Sequence, residues 1–396
     1  MVEQAFETVM LILNSGSSSV KFAVFTHDGA TRMLSGGFER LGLPETALTL
    51  KIGSRREKKN IDAPDHAACL PLLLDLLKTE LPQSRVGAVA HRIVHGGARF
   101  SEPERITPAM LDELRGLIAL APDHLAGELA LIDAAAQAYP GVPQVACFDT
   151  CFHHTMPLVA QRLPIPRRYF AQGVRKFGFH GLSYSFLMDE LRRVAGDDAA
   201  NGRVILAHLG NGASMAAVKD GRCVDTTMSF TPAAGLVMSA RSGDLDPGLV
   251  AYFARTEQMS PEAFDRMINK ESGLLGISEI SSDVRDLEAR EASDPRAKDA
   301  LDSFCYNARK WIGALSATLG GLDTLVFAGG IGENSTAMRA RICENLNFLG
   351  IQLDGAGNAQ HAPVISAAGA WVTVRVIKTD EEAWIARAAT GVLKAT

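Results

Sequence analysis

Two stretches built on one plan constrain this chain more than any other feature. Near its start, "LILNSGSSSVKFAVFTHDGATRMLSGGF" runs from an apolar segment into a Gly/Ser turn, then a second apolar segment, Asp28-Gly29 and a third. Much later, "GRVILAHLGNGASMAAVKDGRCVDTTMSF" repeats the order: an apolar strand over 204–207, a glycine-rich turn, a strand over 214–219, Asp220-Gly221 and a third strand. Asp-Gly between apolar runs marks a hairpin because both residues tolerate positive φ. One such hairpin says little. Two, each opening one half of a 396-residue chain, point to a duplicated domain.

Between and after the hairpins, short apolar runs alternate with helical patterns. "VGAVAHRIVHGG", "VPQVACFDT", "LDTLVFAGGIGENS" and "WVTVRVIKTDEEAWIARAA" each read as a buried strand that leads into a polar or glycine-rich loop or a helix. Helices are expected over 67–77, 109–120, 125–138, 302–319 and 337–349. Strands followed by covering helices imply an α/β protein with sheets buried on both faces. In such sheets ligands collect at the carboxyl ends of the strands. Both hairpin turns, Asp149 and the glycines at 329–332 fall at those ends.

Composition narrows the partners. A content of 47% hydrophobic and 21% charged residues is that of an ordinary globular protein. The formal net charge of -5 gives no footprint for nucleic acid or an acidic membrane surface. No run approaches the ~20 apolar residues of a membrane span, and the opening residues, with Glu3 and Glu7, do not read as a signal peptide. The six cysteines form no CxxC pair and show no zinc spacing, so they read as reduced, buried thiols. The expectation is a cytoplasmic protein that binds small molecules, without structural zinc.

The polar residues at the strand ends carry the chemistry. Backbone N–H groups of a Gly/Ser turn can point at an anion; the hydroxyls of Ser15, Ser17, Ser18 and Ser19 add donors and Lys21 a full charge. "HLGNGAS" and "GGIGENS" are two further phosphate-loop candidates, although no Walker A sequence is present. Each alone can equally be a plain turn. Arg92 and Arg241 sit beside small residues at loop edges, and the aperiodic stretch 226–248 is too apolar for disorder, which points to a functional loop. For a divalent cation the candidates are Asn14, Glu381 and Asp149. Thr379 and Glu382 have capping-box spacing, which would spend Glu382 on the helix start and leave Glu381 free; the alternative is that Asp380 and both glutamates only cap.

These segments resemble the acetate kinase family. "LNSGSSSVK" and "LAHLGNGASMAAVKDG" are similar to its two signatures. "HRIVHGG", "FDTCFH", "FGFHGLSY", "SARSGDLDPG", "SSDVRDLE", "GGIGENS" and "TDEEAWIA" follow in the family's order over nearly the whole chain. The resemblance implies two duplicated actin-like (ribonuclease H-like) ATPase domains with a nucleotide cleft between them: residues 1–150 closed by 383–396, and residues 151–382 carrying most of the nucleotide site. It implies a cytoplasmic homodimer that transfers a phosphoryl group between Mg·ATP (Mn2+ serving in place of Mg2+) and a short-chain carboxylate, acetate first. The alternatives are a propionate or butyrate kinase, or a non-catalytic ATP-switched binding protein.

By the same resemblance Asn14 and Glu381 hold the metal, and Lys21 and Ser17 meet the nucleotide phosphates. Arg92 holds the acyl carboxylate, while Asp149, His180, Arg241 and Asn211 surround the phosphoryl group. His208, Gly210 and Gly212 line the phosphate path. Asp283, Val284 and Arg285, with Gly330, Ile331, Gly332, Glu333 and Asn334, bind the nucleoside. Val94, Phe179, Pro232 and His124 line the acyl pocket. One departure stands out: where the family reads like APLHNP this chain has "APDHLAGE", which sets Asp123 where an apolar residue would face the acyl tail.

Overall fold

The computed structural model describes residues 6–16, 19–41, 46–63 and 65–395, without the side chains of Ala67 and Asp123. The expectations for Ser17, Ser18 and the Asp123 side chain therefore lie outside the described residues. The chain forms two compact units, Met1–Cys151 with Asp380–Thr396, and Phe152–Thr379.

The first unit contains β1 (Glu7–Ser15), β2 (Ser19–Thr26), β3 (Arg32–Glu39), β4 (Ala47–Ile52), β5 (Arg55–Asn60), β6 (Ser84–Ile93), β7 (Glu104–Arg105) and β8 (Gln144–Phe148). They form one sheet in the order β5-β4-β3-β2-β1-β6-β8-β7. β1, β2 and β3 run antiparallel in succession, whereas β1, β6 and β8 are parallel. The core under this sheet is built from Leu11, Leu13, Phe22, Phe38, Leu70 and Leu73. The β4–β5 hairpin was not anticipated, because "RREKKN" carries almost no apolar signal. Its charges suit an edge strand, where they discourage pairing with another chain.

The second unit contains β9 (Val204–Leu209), β10 (Ala213–Lys219), β11 (Arg222–Thr226), β12 (Thr324–Ala328) and β13 (Thr373–Val376), in the order β11-β10-β9-β12-β13. β9 to β11 are antiparallel in succession, and β9, β12 and β13 are parallel. The strand path β3-β2-β1-β6-β8 thus recurs as β11-β10-β9-β12-β13, with the same directions. The twin hairpins of the sequence are the visible part of this repeat. Asp220 and Gly221, at φ 52° and 70°, make a two-residue turn between β10 and β11. At Asp28-Gly29 the loop is longer, and Asp28 Oδ1 accepts the Ala30 N–H.

Helices depart from expectation mainly at their ends. The 302–319 helix starts earlier, at Pro295, capped by Asp294, and runs to Leu319. The expected 337–349 helix stops at Cys343, and Asn345 at φ 62° breaks the run before a short turn at Asn347–Leu349. Residues Gly329–Asn334, read as a loop, form a helical turn directly after β12. The final helix, Glu381–Lys394, packs on β1, β6 and β8 in the first unit. Gly29 admits its approach, since a Cβ there would lie 2.8 Å from the Ala386 carbonyl oxygen.

Two deeply buried imidazoles lie on and just after β6, His91 and His95, each pulled down to about 4 by desolvation. His91 bonds Gln144 Oε1 at 2.5 Å. Unfolded, both would titrate near 6.5, so between pH 6.5 and 4 the unfolded chain binds more protons than the folded one and stability falls as the pH falls. Each histidine accounts for on the order of 3 kcal/mol of that loss. Glu128 and Glu382, whose carboxyls burial raises, oppose this loss, so the comparison isolates the histidine: His91→Gln should lose less melting temperature than the wild type between pH 6.5 and 4.5. An unchanged slope in that variant would clear His91 of the effect.

Candidate active site

In the first unit the site grows from the carboxyl ends of β1, β6 and β8. Arg92, next to the end of β6, donates from Nη2 to Asp149 Oδ2 at 2.7 Å and from Nη1 to Glu128 Oε1 at 3.3 Å. Nη1 also donates to the carbonyl of Ser15. The Arg92 side chain is 12% exposed and both carboxylates 2%, so the ion pairs are shielded from water. Asp149 Oδ1 is buried with no hydrogen-bond partner among the described residues. Glu128, on the helix Pro122–Ala138, accepts the Val94 N–H on Oε2 at 2.9 Å. Burial pushes its carboxyl up to about 7, a rise only partly offset by Arg92. Sequence reading missed Glu128; its one signal was a lone carboxylate in an otherwise apolar stretch of helix.

Asn14, in β1, faces Lys21 across the β1–β2 ladder. Its Nδ2 donates to Glu381 Oε2 at 2.9 Å and to Glu382 Oε1 at 2.8 Å. The expected capping box does not form: Asp380 caps the final helix by accepting the Ala383 N–H. Glu382 is therefore not spent on the helix start but lies on Asn14 beside Glu381. Burial raises the Glu382 carboxyl, a shift that Lys21 opposes and Glu381 reinforces. Two carboxylates drawn onto one amide are hard oxygen donors of the kind a divalent cation takes one or two of, although among the described residues no group of three or more His, Cys, Asp or Glu is placed to hold one. Val94 is buried in this unit and His124 lies on the Pro122–Ala138 helix.

In the second unit the ends of β9 and β12 bring two glycine turns side by side. Gly329, at φ 76°, lies so close to β9 that a Cβ would sit 2.7 Å from the Leu209 carbonyl oxygen, and a Cβ on Gly210 would lie 3.7 Å from the Gly330 nitrogen. Gly212 is the meeting point of two cationic or protonatable groups. A Cβ there would lie 3.2 Å from His180 Nε2 and 3.5 Å from Arg241 Nη1. His180 occupies a left-handed conformation at φ 60° at the start of the helix Gly181–Ala195, a strained geometry for a non-glycine residue. Its Nδ1 bonds Ser214 Oγ at 2.8 Å, and Ser214 also bonds the Tyr184 hydroxyl. The His180 ring stacks on His208 at 4.4 Å, and His208 Nδ1 bonds Ser183 Oγ at 2.8 Å.

Arg241 donates to the Pro232 carbonyl at 3.2 Å. Its loop, 226–248, is ordered by backbone bonds: Ser239 N–H to Asn211 O, Met238 N–H to Arg241 O and Ser272 N–H to Ala240 O. Asn211 Oδ1 accepts from Ser239 Oγ at 3.4 Å. Phe179 is buried, its carbonyl held by His153 Nε2 at 2.8 Å.

Around the expected nucleoside residues much of the bonding is internal. Asp283 caps the helix Val284–Arg290 and accepts Arg285 Nε at 3.0 Å, with Val284 buried and Arg285 exposed. Glu333 Oε1 accepts the N–H groups of Gly329 and Thr379, and Asn334 Nδ2 donates to the Gly330 carbonyl. Ile331 completes that helical turn. Arg339, fully buried and missed in the sequence, braces the turn from beneath with bonds to the carbonyls of Gly332 at 2.9 Å and Glu333 at 3.0 Å.

The acetokinase family profile matches residues 9–387. The chain is 43% identical over 387 residues to the acetate kinase of Rhodopseudomonas palustris (strain ATCC BAA-98 / CGA009), covering 96% of this chain and 97% of that one. It is 41% identical to a propionate kinase of Citrobacter rodentium (strain ICC168), covering 96% and 95%. The crystal structure of Porphyromonas gingivalis acetate kinase superposes with a TM-score of 0.87 at 37% identity, covering 98% of this chain and 100% of that one. With a profile match over nearly its whole length, the twice-used strand path and the paired sets of site residues, this chain belongs to the acetokinase family.

Proposed function

We propose that this chain transfers a phosphoryl group reversibly between ATP and acetate, giving ADP and acetyl phosphate by direct in-line displacement. The observation that carries this reading is the meeting of His180 Nε2 and Arg241 Nη1 at the Gly212 turn. A carboxylate nucleophile is already anionic, so the reaction needs no base to create it. It needs two negative groups aligned and the charge on the transferring oxygens stabilised. When Tyr184 donates to Ser214 and Ser214 to His180 Nδ1, the imidazole proton stands on Nε2, where the glycine turn is. Arg241 adds a full charge at the same place. In the first unit Arg92 holds the acid's carboxylate, and Asp149 orients Arg92.

Asn14 and Glu381, with Glu382 beside them, would hold a magnesium ion, which when bound neutralises charge on the nucleotide phosphates. Lys21, His208, Gly210 and Asn211 serve the phosphates, and Asp283, Val284, Arg285 and Gly330–Asn334 the nucleoside. Val94, His124, Phe179 and Pro232 enclose the acyl tail. The protein works as a cytoplasmic homodimer.

The test is acyl phosphate trapping with hydroxylamine on acetate, propionate and butyrate. Acetate should give strong hydroxamate formation with Mg·ATP, lost on adding EDTA and restored by Mg2+ or Mn2+. The likeness to a propionate kinase favours a second reading, in which propionate is turned over faster. One methylene is worth only ~1–3 kcal/mol in an apolar pocket, so the ratio of the two rates decides it. ATP binding without hydroxamate from any acid would overturn both readings and return the chain to a nucleotide-driven switch.

A further inference from the structure

Arg92 is shared by two carboxylates, and only one of them, Asp149, has a place in the reading above. Glu128 takes the other side of the guanidinium. Its Oε2 is tied to the Val94 N–H, which anchors the carboxylate to the segment leaving β6, so it cannot swing away when Arg92 engages an anion. We propose that Glu128 competes with the substrate carboxylate for Arg92, so that the acid binds as Glu128 takes up a proton from solvent. This rests on the reading that Arg92 holds the acid.

The balance of charge explains the competition. With Glu128 ionised, one guanidinium faces two carboxylates, and an incoming acid would add a third anion to a group that is almost wholly buried. Water screens little there. A proton placed on Glu128 Oε1, the oxygen facing Arg92, restores one positive and two negative charges and keeps the Val94 bond. The charged and titratable groups around Glu128 are few among the described residues. Arg92 comes from β6 and Asp149 from the segment after β8; Glu381, on the final helix, acts through Arg92. His66, on the helix His66–Glu80, lies against Gly127, and His124 is one turn earlier on Glu128's own helix. Arg92 and Asp149 are the charges that act on Glu128 directly, and its carboxyl, near 7, is poised to titrate in the working range. Glu128 is thus a positioning residue that sets the affinity for the acid through Arg92.

The experiment is KM for acetate at saturating Mg·ATP from pH 6 to pH 8.5, a range where acetate itself stays ionised. Uptake of one proton by a group near 7 raises KM about tenfold between pH 6 and pH 8. Glu128→Gln, a neutral isostere of the protonated acid, should keep the low-pH KM across the range. A wild-type KM independent of pH overturns the proposal without any variant. So does Glu128→Gln with the wild-type slope, because a merely structural role would move KM equally at every pH. Arg92→Ala, measured alongside, separates the premise from the inference: an unchanged KM for acetate would remove the acid from Arg92. A large rise in KM there with a persisting slope in Glu128→Gln would refute only the role of Glu128.

Discussion

Arg241→Ala should lower turnover about a thousandfold and leave nucleotide affinity within a few-fold of wild type. An arginine that meets charge developing on a transferring phosphoryl group is worth ~10³-fold or more, which corresponds to about 4 kcal/mol of barrier. The loop that carries Arg241 explains why so much is concentrated in one side chain. Gly273, at φ 63°, accepts the loop so closely that a Cβ would lie 2.2 Å from the Met238 carbonyl oxygen and 2.6 Å from that of Arg241. Gly235 and Gly243, at φ 95° and 74°, close the loop on itself in the same way. The backbone is thus fixed before substrate arrives, and little reorganisation is left for the reaction. Turnover from the hydroxamate assay and nucleotide affinity from titration are the paired measurements. Equal losses in both would show that Arg241 binds nucleotide uniformly and does not favour the transition state. Arg241→Lys, which keeps the charge and loses the planar fork, should recover only part of the rate.

Arg339→Ala should cost at least about 4 kcal/mol of stability in the second unit, because the change orphans several buried acceptors, each worth ~1–3 kcal/mol. The guanidinium donates to the Gly332 and Glu333 carbonyls, to Asn358 Oδ1 at 2.8 Å and to the Asn358 carbonyl at 3.2 Å. It is among the largest fully buried side chains of the molecule, so the vacated space adds a cavity penalty. The same bonds shape the Gly329–Asn334 turn assigned to the nucleoside, so ATP affinity should fall together with stability. Denaturant midpoints with and without Mg·ATP would test this. A variant as stable as the wild type would mean that water replaces the guanidinium.

How much of this was readable beforehand depends on how far each signal reaches along the chain. The repeated hairpins were legible because turn chemistry and strand periodicity are local, and Asp220-Gly221 folds as its residue types demand. The 226–248 loop was legible because its apolar residues oppose disorder while their spacing fits neither helix nor strand; Met228, Leu236 and Met238 are indeed buried in it. Glu128 and Arg339 were not. Glu128 is held by Arg92 and Val94, far back in the sequence, and Arg339 by the backbone carbonyls of Gly332 and Glu333 and by Asn358, partners that no residue-type pattern around either charge announces. Glu382 was misread for a related reason: its spacing to Thr379 fits a capping box, but Asp380 is one residue nearer the helix and takes the cap. Asn14, from the other end of the chain, then claims both glutamates.

The last structural element of the first unit is encoded after the whole of the second. On the ribosome the strands β1 to β8 are made first, yet the helix that covers β1, β6 and β8 follows only after the whole second unit. The second unit, continuous in sequence, can fold as it appears. The first waits, its β1, β6 and β8 short of the helix that packs on them, on which Ile385 and Ala389 are buried. Asn14 precedes the whole second unit and Glu381 and Glu382 follow it, so the bonds between them form only after that unit has been made. The Gly212 turn with His180 and Arg241 is therefore made before Asn14 can meet Glu381 and Glu382.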